Sequence, residues 1–179
     1  YVTFIAEDGE LAADTIQVTI TVHDVNLPPS IDPPDGTLLC RTGDDFGFYP
    51  DYEDLDDPVV TISYDLYPGW MTVSNDSLVG TTPDDTSMTT FRVIVADEAA
   101  ADSADVTLFV WACGDANGDG LVDIDDVVWL ISYIFSAGSP PYPYESGDVD
   151  CQSGIDIDDV VYLIGYIFSQ GPEPCIDCP

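Results

Sequence analysis

Residues 91–110 read FRVIVADEAAADSADVTLFV, and a related stretch, YVTFIAEDGELAADTIQVTITV, opens the chain at residues 1–22. Each consists of two alternating, β-branched runs separated by a short acidic, alanine-rich turn. This is the pattern of a hairpin with one apolar face. Residues 1–8 align with 91–98 at an offset of 90, and residues 14–22 with 102–110 at an offset of 88. A period near 90 is the length of one two-sheet β-sandwich. Further runs such as VVTISYDLY between Gly, Pro, Asp and Asn clusters supply the other strands. The spacing therefore predicts a complete sandwich over residues 30–112, a linker over 24–29, and the final hairpin of a preceding sandwich over 1–23.

A second repeat occupies the C-terminal third. Residues 114–138, GDANGDGLVDIDDVVWLISYIFSAG, recur at 147–171 as GDVDCQSGIDIDDVVYLIGYIFSQG, with 15 of 25 positions identical at a constant offset of 33. Oxygen-bearing side chains at alternate positions, followed by a helix, are what a hard cation such as calcium requires. With Asp115 at position 1 of a twelve-residue EF-hand loop, Asn117 falls at 3, Asp119 at 5 and Gly120 at 6. The carbonyl of Leu121 falls at 7, Asp123 at 9 and Asp126 at 12. The second copy places Asp148, Asp150, Gln152, Gly154, Asp156 and Asp159 at positions 1, 3, 5, 7, 9 and 12. Gln152 contributes a neutral oxygen where the first loop has a carboxylate, so the first loop is expected to bind calcium more tightly. Helices are predicted over 124–136 and 157–169, each with Val127, Val128, Leu130, Ile131, Ile134 and Phe135, or their repeats, on one broad face. Gly138 and Gly171 are stop signals.

Two tandem loop–helix units with Asp at position 12 and no entering helix resemble a dockerin. The resemblance covers residues 113–175 and implies a small all-α, EF-hand-like domain over 113–179 that binds two calcium ions. It also implies docking onto a cohesin-type partner through loop positions 10 and 11. These are Ile124 and Asp125 in the first repeat and Ile157 and Asp158 in the second. The Ser-Thr pair and downstream Lys-Arg pair of many dockerins are absent, which favours an apolar interface.

The sandwich resembles bacterial cadherin-like and immunoglobulin-like (Ig-like) repeats, on HDVNLPPSI at the joint and YPGWMTVSNDSLVGTTP in mid-domain. The expected fold class is thus an all-β Ig-like sandwich followed by an all-α module. Cadherin-like repeats bind calcium at acidic joints, and that resemblance implies candidate ligands at Asp24, Asn26, Asp54, Asp56 and Asp97. Solvated acidic loops are the competing reading.

Thirty-five acidic residues stand against Arg41 and Arg92, with no lysine, for a formal charge of −33. This balance disfavours nucleic acid and anionic membrane as partners. No apolar run has the length of a membrane span. Five cysteines in an extracellular, cell-surface setting suggest disulfides. Cys40 can pair with Cys113, or Cys113 with Cys175 or Cys178, and Cys151 can tie to the tail. His23 stands alone and Trp70 reads as core, so nothing points to catalysis. The leading expectation is a non-catalytic attachment module. The alternatives are a self-assembling subunit joined through copies of itself and a glycan-binding appendage.

Overall fold

The computed structural model describes residues 1–10, 12–21, 25–152 and 154–174. Strands β1 (Val2–Glu7) and β2 (Ala13–Val18) form a two-stranded antiparallel sheet by themselves. Nine more strands come after them: β3 (Ser30–Asp32), β4 (Leu38–Arg41), β5 (Asp45–Phe48), β6 (Asp51–Glu53), β7 (Thr61–Asp65), β8 (Met71–Ser74), β9 (Ser77–Thr81), β10 (Ser87–Ala96) and β11 (Ala101–Trp111). They assemble as sheets β4-β11-β10-β7, β5-β9-β8 and β3-β6. All pairs are antiparallel except β4 with β11, where Cys40 lies opposite Val110.

The period-2 pattern does what it promises. Phe91, Val93 and Val95 alternate inward on β10, and Val106, Leu108 and Val110 on β11; none is more than 2% exposed. Phe46, Met71 and Leu78 close the core from the facing sheet. Trp70 packs against this cluster with its ring edge-on to Phe46 at 6.0 Å, as the sequence suggested. An Ig-like β fold fits this arrangement.

The C-terminal third departs from the expected all-α, EF-hand-like domain. The described residues are 36% strand and only 18% helix. After β11 it forms two helices, α1 (Ile124–Ser136) and α2 (Ile157–Ser169), and a single 3-10 turn at Tyr144–Gly147. Each α-helix buries only three of its thirteen residues. Nor do these units stand apart from the sandwich. Phe109 of β11 stacks on Tyr142 with centroids 6.0 Å apart and planes at 14°. The two helices close only a six-residue cluster between them, and the Phe109–Tyr142 stack ties the units to the strand that leads into them, so they are no distinct all-α domain.

The glycine stop signals hold, and aspartates cap the helix starts. Asp123 and Asp156 are N-caps, each in a reciprocal box with the Asp three residues on. Ala137 and Gln170 take the left-handed conformation, and Gly138 N–H and Gly171 N–H return to the carbonyls of Ser132 and Gly165 at 3.0 and 2.9 Å. A Cβ on Gly138 would lie 2.5 Å from Ser132 Oγ, which is why glycine comes after the cap.

The Cys40–Cys113 pairing fails: both are free thiols. The strand that holds Cys40, β4, does lie beside the last strand, β11, but the register sets Cys40 opposite Val110. Cys113 lies three residues further on, with its thiol donating to the Asp148 carbonyl at 3.6 Å. Cys151 is engaged rather than free. Cys175 and Cys178, like Val22, His23, Asp24 and Ser153, lie outside the described residues.

This packing has two measurable consequences. Gly80 faces Met71 and Phe46 across its two neighbours, and a Cβ there would sit 2.5 Å from the Trp70 carbonyl oxygen. Gly80→Ala should therefore destabilise the sandwich by about 1–3 kcal/mol, measured by denaturant melting. Burial pushes the Cys113 thiol up to about 12. At pH 8 roughly one such thiol in ten thousand is ionised. Iodoacetamide should leave Cys113 unlabelled in the native protein and modify it fully once unfolded, as read by peptide mass spectrometry.

Candidate metal centre and docking face

The loops between β11 and α1, and between the 3-10 turn and α2, each wind around aspartates. In the first, Asp115 is 3% exposed and collects three backbone donors. Its Oδ1 accepts from Gly118 at 2.9 Å and Asp119 at 3.0 Å, and its Oδ2 from Gly120 at 3.0 Å. Gly118 and Gly120 supply this curl through φ of 76° and 92°. Asn117 Oδ1 accepts from Asp119 N–H at 2.8 Å, and Asp119 Oδ1 from Leu121 N–H at 3.0 Å. The amide of Asn117 also donates to Asp119 Oδ2 at 3.0 Å.

Position 12 closes each loop from below. Asp126 is fully buried, and its two oxygens accept from Asn117 N–H at 3.0 Å and Asp123 N–H at 2.8 Å. Asp159, 1% exposed, accepts from Val149 at 2.7 Å, Asp150 at 3.2 Å and Asp156 at 2.7 Å. Burial is the main force raising the Asp126 carboxyl, to about 6; the two backbone donors pull the other way, and Asp115 and Asp119 add repulsion. Burial likewise raises Asp159. Both ionised carboxylates are thus held where charge is costly.

In the second loop, Asp148, Asp150 and Asp159 each bring one oxygen within 4.8 Å of the others. Gln152 is exposed, and its N–H donates to Asp148 and Asp150. Gly154 takes the positive φ, 80°, that Gly120 takes in the first loop. Among the described residues this convergence of three carboxylates occurs in the second loop, whereas ligand charge alone had ranked the first loop higher.

Both arginines have carboxylate partners outside these loops. Arg92 pairs with Asp105 at 2.7 Å and Arg41 with Asp44 at 3.4 Å, both on the sandwich. The donor set is all oxygen, so Asp115, Asn117, Asp119, Asp123 and Asp126, and Asp148, Asp150, Asp156 and Asp159, suit a hard divalent cation.

The helix faces divide differently from the sequence reading. Val127 and Leu130, with Val160 and Leu163, are buried between the units beside Ala116 and Val149. Val128, Ile131 and Phe135, expected on the same face, point outward at 59%, 41% and 65% exposure. With Ile124 they form a stripe spaced four, three and four residues apart; Ile157, Val161, Ile164 and Phe168 repeat it, all exposed. Asp125 and Asp158 flank the stripes and are exposed. Sequence reasoning placed only loop positions 10 and 11 on this surface. The signal for the rest was an apolar arc too wide for one buried contact.

At the joint, Asn26 donates to Asp97 Oδ2 at 2.9 Å, and Leu27 N–H reaches both Asp56 oxygens at 3.2 and 3.1 Å. Asp54 Oδ1 accepts from Asp56 and Asp57 N–H. The Asn26 amide is the largest influence lowering Asp97, with Ala99 and Ala100 N–H next. The predicted loops do meet the linker, and there backbone and amide donors occupy several carboxylate oxygens. Asp24 lies outside the described residues.

No protein-family model matches this chain, and no curated protein matches it. Among solved structures, a proposed α-galactosidase of Bacteroides fragilis is 11% identical with a TM-score of 0.41 over 52% of this chain and 19% of its own. An endo-fucoidan hydrolase of glycoside hydrolase family 107 is 15% identical at a TM-score of 0.39, over 62% and 19%. A tandem pair of titin Ig domains is 15% identical at 0.38, over 62% and 60%. The chain thus spans about a fifth of the length of the two enzymes, and likenesses this distant carry no functional argument.

Proposed function

We propose that this chain is a non-catalytic, extracellular attachment module whose C-terminal repeats bind calcium and then dock onto a cohesin-type protein. The observation that carries this reading is the duplicated loop with a buried position-12 aspartate, in a chain whose two arginines both pair with aspartates of the sandwich. The second loop brings three carboxylate oxygens within 4.8 Å of one another, and the first winds around the buried Asp115 and Asp126. Without a cation, the mutual repulsion of neighbouring carboxylates near a surface is about 1–4 kcal/mol per close pair. A bound calcium reverses that sign and locks the N-terminus of α1 or α2. No described helix is long and apolar enough to cross a membrane.

The resemblance of residues 113–175 to dockerin repeats supports the choice of partner. The partner would meet the outward stripes around Ile124, Asp125, Ile157 and Asp158. Eight exposed apolar side chains on two short helices are a docking surface rather than a solvated one. Because the stripes are duplicated, either repeat can serve as the contact.

Calcium removal is the first test. Circular dichroism in excess EDTA should lose most of the helical signal of α1 and α2 while the β signal persists; retained helicity would sink this account of the loops. Asp159→Ala removes one convergent carboxylate, and loss of about 1–4 kcal/mol corresponds to about 5- to 900-fold weaker calcium binding at that loop by calorimetry. The second test concerns docking. Ile131→Asp or Ile164→Asp alone should leave capture of a cohesin domain within a few-fold, because one stripe remains. The double variant should abolish capture with calcium binding intact. Undiminished capture would place the interface elsewhere.

A further inference from the structure

The hairpin β1–β2 has the side-chain design of a core element and no core. Val2, Phe4, Val18 and Ile16 are 40%, 57%, 37% and 62% exposed. Its cross-strand pairs are Val2↔Val18, Phe4↔Ile16 and Ala6↔Asp14. In the sandwich, β10–β11 is paired as Phe91↔Val106, Val93↔Ala104 and Val95↔Asp102. These three pairs superimpose in order when the first strand is offset by 89 and the second by 88.

The turns confirm that register. Asp8 N–H donates to the Ala12 carbonyl at 3.0 Å, and Asp97 N–H to the Ala100 carbonyl at 3.0 Å. Asp8 Oδ1 accepts from Glu10 and Ala12, as Asp97 Oδ1 accepts from Ala99 and Ala100. Asp14 Oδ1 accepts from Thr15 N–H at 2.8 Å, and Asp102 Oδ1 from Ser103 N–H at 2.8 Å. Sequence similarity alone suggested an offset of 90 for the first strand, which sets Val2 on Arg92. One residue of slip exchanges the two faces of a strand. The structural register instead sets Val2, Phe4 and Ala6 on Phe91, Val93 and Val95, all three fully buried. Thr3↔Gln17 then falls on the polar pair Arg92↔Asp105.

From this correspondence we infer that the Val2, Phe4, Ala6, Ile16, Val18 face of β1–β2 is covered by a second sandwich body of the kind β3–β9 build, one lacking its own last two strands. The volumes are compatible: Phe and Val exchange places between adjacent layers, Ile16 adds bulk where the sandwich has Ala104, and Ala6 removes some where it has Val95. An intact copy of this chain does not qualify, because β10–β11 already fills the slot between β7 and β4. This inference is independent of the calcium reading.

The test adds a body ahead of the full chain. In one chimera residues 25–89 are joined directly to Tyr1; in the control, residues 25–111 are joined there, so the added body carries its own hairpin. Amide hydrogen exchange across residues 2–18 should slow roughly 100-fold or more in the chimera relative to the control. Phe4→Asp should erase that protection in the chimera and change nothing in the control. Equal exchange in both overturns the proposal, as does an added body that folds in the control but not in the chimera. Phe4-dependent self-association of the unextended chain would overturn it in favour of a second copy as the occupant.

Discussion

The antiparallel pairing of β10 with β11 is the interaction on which the rest of the molecule depends. Ten residue pairs run from Ser87↔Val110 to Ala96↔Ala101. Their outer edges recruit β7 and β4, and their inner face supplies Phe91, Val93, Val95, Val106, Leu108 and Val110 to the core. The turn between them does a second job. Asp97 takes the side chain of Asn26, and Asp102 just beyond takes Ile31 N–H at 3.0 Å, so one hairpin end positions the incoming linker. The other end delivers the chain, through Trp111, to the first acidic loop. A long hairpin thus transmits order from joint to loop without any side-chain relay.

Charge is the second constraint. With 35 acidic residues and two arginines, the chain cannot neutralise itself. On the sandwich the solution is hydrogen bonding: aspartates at turns accept from backbone N–H groups, as Asp8, Asp54, Asp57 and Asp97 all do. In the C-terminal loops that solution is incomplete. Asp126 and Asp159 are buried, receive backbone donors, and still have their carboxyls raised by desolvation. The difference between a capped aspartate and a candidate cation ligand here is burial together with convergence, not the presence of acid.

Apolar surface is distributed in the same two ways. Inside the sandwich it is fully covered, whereas the outer helix stripes and the β1–β2 hairpin leave it open. Each helix has apolar residues on two sides, one side closing a six-residue cluster and the other facing solvent. A thirteen-residue helix with so little internal burial depends on its N-terminal loop for order. Loop chemistry and outer surface are coupled for that reason.

Strand alternation, both helix limits and the glycine stops are local properties, and they were legible from residue order. Backbone periodicity and capping act within a few residues, so tertiary context did not alter them. What the sequence misjudged was decided across space. Cys40 and Cys113 remain thiols because parallel register, not strand adjacency, sets which side chains meet. The C-terminal segment is no separate all-α domain, because its two short helices close only a small cluster and also stack on β11. Val128 and Ile131 looked like core because hydropathy cannot distinguish two apolar stripes on one helix from one broad stripe. The one-residue correction to the hairpin repeat has the same origin. Residue similarity aligns composition, whereas hydrogen-bond pairing fixes which face each side chain occupies.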